Sequence, residues 1–234
     1  MNYSGGTEIG GLLSTNVLFP MKACGFHGGL PGTDADIIDR EGQSVPAGVI
    51  GELVMRAPTL GMTKGLWKEP ERYIESYWSS NPGVWTQGDL ASRDEDGIWF
   101  IHGRADDTIK VAGKRVGPTE IENAAMSTGL VAEVIAVGEA NALRGQVVSL
   151  AVVLNANVES HEIAKELIGS AVANALGKPF MPERVVILSD LPKTRNGKLV
   201  RRVVRDVLNG APTGDVSGLG NPEIIDELSA RLRG

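Results

Sequence analysis

The residue types best suited to chemistry in this chain lie in residues 191–198, with the sequence Leu-Pro-Lys-Thr-Arg-Asn-Gly-Lys. This loop ends in Lys198, and Gly197 before it predicts a mobile backbone. Eight basic residues lie between positions 178 and 205, against two acidic ones. This density fits either a solvated helix face or a local positive field for phosphate groups, and the adjoining lysine favours the field.

Three further polar motifs precede the lysine loop. The Gly-Gly-Thr-Glu segment at residues 5–8 supplies a hydroxyl and a carboxylate, which are donors suited to a hard cation. Asp89 ends a Trp-Thr-Gln-Gly-Asp segment, and Arg104 follows fifteen residues later. Residues 103–116 form the longest motif, Gly-Arg-Ala-Asp-Asp-Thr-Ile-Lys-Val-Ala-Gly-Lys-Arg-Val. Each motif alone fits an ordinary turn or hairpin, but their joint presence in this order argues against coincidence.

Taken together, these motifs resemble the signature set of the AMP-forming acyl-CoA synthetases. That superfamily also contains luciferases and the adenylation domains of peptide synthetases. The resemblance covers residues 3 to 230 and implies a ligase that converts a carboxylic acid and ATP into acyl-AMP and pyrophosphate. CoA then takes the acyl group and AMP leaves. Such a site has to offset negative charge and align the nucleophile with the α-phosphorus.

The resemblance also assigns roles to individual residues. Lys198 is the catalytic residue, which reaches the substrate carboxylate and the bridging oxygen during adenylation. The residues implied in nucleotide binding are Thr7 and Glu8 at the phosphates, Asp89 and Arg104 at the ribose, and Arg115 near the phosphates. Glu8 is in addition the implied Mg²⁺ ligand. The implied small molecules are therefore ATP or AMP, Mg²⁺ and coenzyme A.

Two more implied roles concern CoA and domain movement. Gly113 lies where the family's pantetheine tunnel needs no side chain, because the backbone approaches the ligand closely. Asp106 occupies the hinge about which the small domain rotates between the two half-reactions, and an aspartate in a loop can absorb such a change.

The branch of the family and the acid follow from smaller features. Residues 71–77, 93–97 and 221–225 resemble the acetyl-, propionyl- and acetoacetyl-CoA synthetase branch. Acetyl-specific members place a tryptophan two residues before the motif threonine, whereas this chain has Gly5. We therefore expect a more open pocket and an acid larger than acetate. The aromatic residue that stacks on adenine in the family is replaced by Ser4, with Tyr3 one position away.

The element pattern predicts an α+β protein of two domains. Residues 1–104 are β-rich and correspond to the end of the family's large AMP-binding domain, including a distorted β-barrel. Residues 105–209 form a small, mobile α+β domain that carries the catalytic lysine, and residues 210–234 form a linker and a terminal helix. Strand runs and turn residues support this division.

Three local features of the small domain are predicted in more detail. Ala112 and Gly113 form a two-residue hairpin turn. A helix that stops at Gly177 buries an i, i+4 stripe, consisting of Ile163, Leu167, Ala171 and Ala175. The terminal helix starts with Asn221 as its N-cap and presents one apolar face, consisting of Ile224, Leu228 and Leu232.

Composition excludes several functions. The net charge of −6 argues against nucleic acid as the main partner. No apolar run approaches the twenty residues that a membrane span needs, and no secretory signal precedes the first motif. Cys24 is the single cysteine, so an intramolecular disulfide is excluded and a cytoplasmic location is expected. The three histidines show no metal-ligand spacing.

The family's phosphate loop lies upstream of the Thr-Glu motif and is absent from this sequence. We therefore expect little activity from these residues without an N-terminal part, and an exposed sheet edge that permits self-association into a homo-oligomer. Two alternatives stay open. The acceptor could be a carrier-protein phosphopantetheine instead of CoA, or the chain could be a non-catalytic nucleotide-binding module. The sequence does not fix which carboxylic acid is the substrate.

Overall fold

A computed structural model describes residues 2–233, and the chain divides into two compact units, Met1–Asp106 and Asp107–Gly234. Each unit has its own buried apolar core. The mixture of antiparallel sheets and helices confirms the predicted α+β class. Among the described residues, no helix has the length and apolar character needed to cross a bilayer.

The first unit contains seven strands and one helix. They are β1 (Tyr3–Ser4), β2 (Leu13–Ser14), β3 (Gly28–Gly29), β4 (Ala35–Ile38), β5 (Gly51–Met55), α1 (Pro70–Tyr77), β6 (Trp85–Arg93) and β7 (Trp99–Arg104). β1–β3 and β4–β7 form two antiparallel sheets, each in chain order. A bridge between Phe26 and Trp99 links them. The expected distorted barrel is thus present in residues 2–106 as two linked open sheets, not as a closed ring.

The second unit has a five-stranded sheet covered by helices. Its elements are β8 (Ile109–Val111), β9 (Lys114–Val116), α2 (Pro118–Met126), β10 (Val131–Asn141), β11 (Gly145–Leu154), α3 (His161–Leu176), β12 (Arg184–Ile187), α4 (Arg201–Leu208) and α5 (Ile224–Arg233). β11 is central, since it pairs antiparallel with β10 and β8 and parallel with β12. Because strand side chains alternate, both faces of β10 are buried, Val134 in one core cluster and Ile135 in another.

The hairpin between β8 and β9 has the predicted two-residue turn. Ala112 and Gly113 have φ values of 48° and 81°, and left-handed values at both central residues are typical of the turn whose twist matches that of the strands. A Cβ built on Gly113 would meet no atom of the chain within 4 Å. The glycine is therefore required by its backbone angle and not by crowding within the unit.

The predicted buried face of α3 is wrong by one residue. Ile163 and Leu167 are 59% and 50% exposed, whereas Ala164, Ile168 and Val172 are buried against the sheet. Both sets repeat at intervals of four residues, so periodicity alone does not distinguish them. Packing makes the choice, because Ile168 and Val172 lie in one core cluster with Val148 and Leu150 of the sheet.

The predicted N-cap role of Asn221 is also wrong. α5 begins at Ile224, and the Asn221 side chain points back to the loop before α4, where it hydrogen-bonds Lys193, Asp190 and Leu191. The predicted apolar face of the terminal helix is confirmed, because Ile224 and Leu228 are buried and Leu232 packs beside them.

Candidate active site

The Gly-Gly-Thr-Glu segment forms a tight turn directly after β1. The amides of Ile9 and Gly10 both donate to the Gly6 carbonyl, at 3.3 and 2.8 Å. A Cβ built on Gly5 would lie 2.3 Å from the Gly10 oxygen and 2.6 Å from the Gly11 Cα. The space for a Gly5 side chain is therefore filled by backbone, and the missing side chain does not by itself open a pocket.

Glu8 lies near an aromatic residue of α1 that sequence reasoning missed. Burial, and after it the nearby charge of Glu8, raises the pKa of the Tyr77 hydroxyl above its ordinary value. The Tyr77 ring stacks on Trp85, with centroids 5.2 Å apart and planes 9° apart. The Tyr77 hydroxyl therefore stays protonated beside the Glu8 carboxylate. The sequence marks Tyr77 only as the last residue of segment 71–77, which resembles the acetyl-, propionyl- and acetoacetyl-CoA synthetase branch.

Asp89 and Arg104 face each other across β6 and β7. Arg104 Nη1 lies 4.0 Å from Asp89 Oδ1 and donates to the Gln87 carbonyl at 2.7 Å. Its Nε donates to Asp106 Oδ1 at 3.1 Å. Asp89 is buried, with 8% of its surface exposed. The two predicted ribose residues are thus adjacent, and the predicted hinge residue contacts one of them.

Gln87 joins the Asp89 pair to the glycine turn, a role that sequence reasoning missed. Its Nε2 donates to Asp89 Oδ2 at 2.9 Å and to the Gly5 carbonyl at 3.4 Å. Its Oε1 is buried and, within residues 2–233, has no hydrogen-bond partner. That oxygen lies 3.1 Å from the position of a Cβ on Gly6. An unpaired buried acceptor is costly, and this one faces the Gly-Gly-Thr-Glu turn.

The donor set around Glu8 fits Mg²⁺ of the kind that accompanies a nucleotide. Among the residues that the structure describes, no three His, Cys, Asp or Glu side chains converge on a metal position. Mg²⁺ commonly takes only one or two protein carboxylates and fills its remaining positions with phosphate oxygens and water. One half-buried, oriented carboxylate is consistent with that mode and not with an all-protein metal cage.

Lys198 lies in a hydrogen-bonded hairpin and not in an open loop. The Thr194 amide donates to the Lys198 carbonyl at 2.8 Å, and the Lys198 amide donates to Thr194 Oγ1 at 3.1 Å. Gly197 has a φ of 79°, which glycine adopts without strain. The Lys198 side chain is exposed and forms no ion pair with another described residue. The backbone is therefore fixed while the ammonium group remains available.

The basic cluster is largely neutralised within the second unit. Five of its eight residues form ion pairs with acidic side chains, namely Arg184, Lys193, Arg201, Arg202 and Arg205. The predicted phosphate field is thus reduced to fewer cations than the sequence suggests. Arg115 lies apart on the β8–β9 hairpin, where it is exposed opposite Lys110.

Comparison with known proteins shows which proteins this chain is similar to. Residues 120–198 match the AMP-binding enzyme C-terminal domain. The chain is 40% identical over 203 residues to acetyl-coenzyme A synthetase from Methanothrix thermoacetophila, covering 85% of this chain and 31% of the relative. It thus spans about a third of the length of the curated relatives that it matches.

Solved structures of acyl-CoA synthetases are also similar to this chain. Acetoacetyl-CoA synthetase from Streptomyces lividans matches with a TM-score of 0.84 and 25% identity over 99% of this chain and 36% of that one. ATP-bound MatB from Rhodopseudomonas palustris matches with a TM-score of 0.74 and 28% identity over 88% of this chain and 40% of that one. Over most of its length the chain is thus similar to a partial, C-terminal portion of acyl-CoA synthetases, and residues 120–198 match their AMP-binding enzyme C-terminal domain.

Proposed function

We propose that this chain is the C-terminal portion of an AMP-forming acid–CoA ligase. A carboxylate oxygen attacks the α-phosphorus of ATP, the bond to the bridging oxygen breaks, and pyrophosphate leaves. The CoA sulfur then attacks the acyl carbonyl, and AMP leaves with the electron pair of the broken bond. The observation that carries the proposal is the connected group of Gln87, Asp89 and Arg104 beside the Glu8 turn.

In this proposal the first unit binds the nucleotide. Asp89, oriented by Gln87, accepts hydrogen bonds from the ribose hydroxyls, and Arg104 contacts the same sugar. The Thr7 hydroxyl contacts a phosphate. Glu8, which lies near Tyr77, would hold Mg²⁺, and that ion when bound would neutralise charge on the phosphate oxygens.

The second unit supplies the remaining charges. Lys198 is a point charge at the substrate carboxylate and bridging oxygen, and charge that is fixed in advance stabilises a transition state without reorganisation. Arg115 approaches the phosphates, and Gly113 borders the pantetheine arm of CoA. Asp106 is the hinge, and the boundary between the two compact units follows it directly. That these residues act on one nucleotide rests on the similarity to acyl-CoA synthetases.

The acid, the location and the need for an upstream part belong to the same proposal. Because the chain spans about a third of its relatives, we propose that it is inactive without the rest of the enzyme. We retain an acid larger than acetate as the expectation, although the backbone packing at Gly5 gives it no support. A cytoplasmic location and self-association stay predictions.

Acid-dependent ATP–pyrophosphate exchange tests the proposal. The chain is assayed alone and mixed with a separately produced upstream part of the enzyme, over C2 to C8 fatty acids. Exchange that appears on mixing and disappears in Lys198→Ala supports the ligase. Turnover of acetate and butyrate at equal rates would contradict the larger acid.

The two alternatives are outcomes of the same experiment. Thioester formation on a phosphopantetheinylated carrier protein, and not on CoA, would assign the chain to carrier loading. Nucleotide binding without exchange, even after mixing, would indicate a non-catalytic module.

A further inference from the structure

The chain that follows α4 packs back on the loop that carries Lys198. We refer to residues 193–199 as the lysine hairpin and to residues 213–232 as the tail. Lys193 and Leu199 form a bridge that closes the hairpin, and Thr194 forms a second bridge with Leu219 of the tail. The tail therefore lies beside the hairpin as a third extended segment. The match to the family's C-terminal domain ends at Lys198, so the tail lies outside it.

Both backbone groups of Lys193 are bound by the tail. Its amide donates to Asn221 Oδ1 at 3.0 Å, and its carbonyl accepts from the Gly220 amide at 2.8 Å. The Asn221 Nδ2 donates to Asp190 Oδ2 at 2.9 Å and to the Leu191 carbonyl at 2.8 Å. The Asn221 side chain thus binds three residues, Asp190, Leu191 and Lys193, at the entrance to the hairpin.

Ion pairs at Lys193 and Asp190 strengthen the attachment of the tail to the hairpin. Lys193 Nζ lies 2.6 Å from Asp190 Oδ1 and 2.7 Å from Glu133 Oε2. Burial acts to raise the pKa of Asp190, but hydrogen bonds from Lys193, Leu191 and Asn221 outweigh it and hold that pKa below its usual range. The carboxylate therefore stays ionised and keeps its partners in place at neutral pH.

α5 anchors the far end of the tail. Glu227 accepts hydrogen bonds from the amide and the hydroxyl of Ser189. Ile224 and Leu228 are buried in one core cluster with Leu191. Arg202 of α4 holds the near end of the tail, because it donates to the Thr213 and Asp215 carbonyls. The hydrogen bonds at residues 219–221 are therefore made by a segment fixed on both sides.

We propose that the tail clamps the lysine hairpin and that Asn221 is a positioning residue for Lys198. The clamp rests on contacts, and its consequence for catalysis rests on the proposed function. A lysine side chain is long and flexible, so its ammonium group can be placed only from a fixed backbone. The clamp supports adenylation, where Lys198 is needed, and not thioester formation, where the family's lysine withdraws.

The first test measures hydrogen exchange in the 234-residue chain. Asn221→Ala should speed amide exchange across residues 191–199 about tenfold or more, while β10 and β11 keep their protection. Asn209→Ala is the matched control, because Asn209 also makes three hydrogen bonds in the second unit but none to the hairpin. Unchanged exchange at residues 191–199 in Asn221→Ala would overturn the clamp.

Asn221→Asp, which has nearly the same shape as asparagine, guards against a variant that fails to fold. It keeps the acceptor for the Lys193 amide but turns a carboxylate oxygen toward Asp190 Oδ2 and the Leu191 carbonyl, so exchange across residues 191–199 should also rise about tenfold or more. If amide exchange across residues 191–199 were no faster in Asn221→Asp than in Asn209→Ala, the clamp would also be overturned.

The second test separates the half-reactions in the complete enzyme. Asn221→Ala should lower pyrophosphate exchange about tenfold and leave CoA thioester formation from supplied acyl-AMP within about twofold. Combined with Lys198→Ala, it should cause no further loss, since both changes act through one group. Equal loss in both half-reactions, or an additive loss, would overturn the positioning role. If Lys198→Ala itself leaves exchange intact, the proposed function fails while the hydrogen-exchange result still decides the clamp.

Discussion

Asp89 and Arg104 are paired in register on neighbouring antiparallel strands, and Gln87 binds both of them through different atoms. A strand register fixes the distance between opposite residues. Asp89 and Arg104 are fifteen positions apart in the sequence, yet Arg104 Nη1 lies 4.0 Å from Asp89 Oδ1. The charged pair is thus assembled by the sheet before any ligand arrives.

Removing the Gln87 side chain should weaken nucleotide binding. Gln87→Ala takes away a hydrogen bond to a carboxylate, which contributes about 1.5–3 kcal/mol. The KM for ATP in pyrophosphate exchange by the complete enzyme should rise roughly tenfold to a hundredfold. Gln43→Ala, in an exposed turn, is the control. A KM that changes equally in both variants would remove Gln87 from the site.

Substitution of Gly5 should destabilise the first unit. A Cβ in Gly5→Ala would overlap the backbone of Gly10 and Gly11, and the free energy of unfolding should fall by about 3 kcal/mol. Gly65→Ala should stay within about 0.5 kcal/mol, since a Cβ there meets nothing within 4 Å. Calorimetric unfolding of the two variants checks this, and a stable Gly5→Ala protein would show that the turn can open.

Lys198 should control adenylation alone. Lys198→Ala in the complete enzyme should lower pyrophosphate exchange about 100- to 1000-fold and leave thioester formation from acyl-AMP nearly unchanged. Lys178→Ala, which removes another exposed cation of the same basic cluster, should change neither rate by more than about twofold. Equal effects of the two variants would mean that general charge, and not this position, matters.

Asp36 should contribute an acid-sensitive part of the stability of the first unit. Burial acts to raise its pKa, but hydrogen bonds from Ser44, Arg56 and Ile37 hold the pKa below its ordinary value. A lowered folded pKa means that the contribution is complete above the unfolded pKa, about 3.9, and is lost as pH falls through the folded pKa. Unfolding measured from pH 6 to 2.5 should therefore show less loss in Asp36→Asn than in the parent chain. If the stability of both proteins fell equally with pH, the acid-sensitive contribution of Asp36 would be contradicted.

Arg201 should be a main stabilising charge of the second unit. It lies between Glu122 Oε1, at 2.7 Å, and Asp107 Oδ2, at 3.2 Å. Arg201→Met would leave two half-buried carboxylates without this partner, at a cost of about 3 kcal/mol. Lys165→Ala, which removes an exposed pair with Glu162, should cost about 0.5 kcal/mol or less. Urea unfolding of both variants measures these costs. Equal urea midpoints for Arg201→Met and Lys165→Ala would contradict the larger contribution of Arg201.

The predictions from sequence succeeded where neighbouring residues decide the outcome. The turn at Ala112 and Gly113 follows from two positions that tolerate left-handed angles. The α+β class follows from strand and helix periods, and the similarity to acyl-CoA synthetases follows from ordered motifs. Motifs also nominated Lys198, Asp89 and Arg104, whose proposed roles still await the experiments above.

What the sequence by itself determined was the set of local elements and the residues able to carry charge. Tertiary structure decided which faces and which charges are used. It buried Ile168 and not Leu167 in α3, paired most of the basic cluster with acids, and turned Asn221 from a helix cap into a hairpin contact. It also brought Tyr77 to Glu8 and Gln87 to Asp89. The physical reason is that hydrogen bonds, ion pairs and close packing depend on distances of a few ångströms between residues far apart in the chain, and only the folded backbone sets those distances.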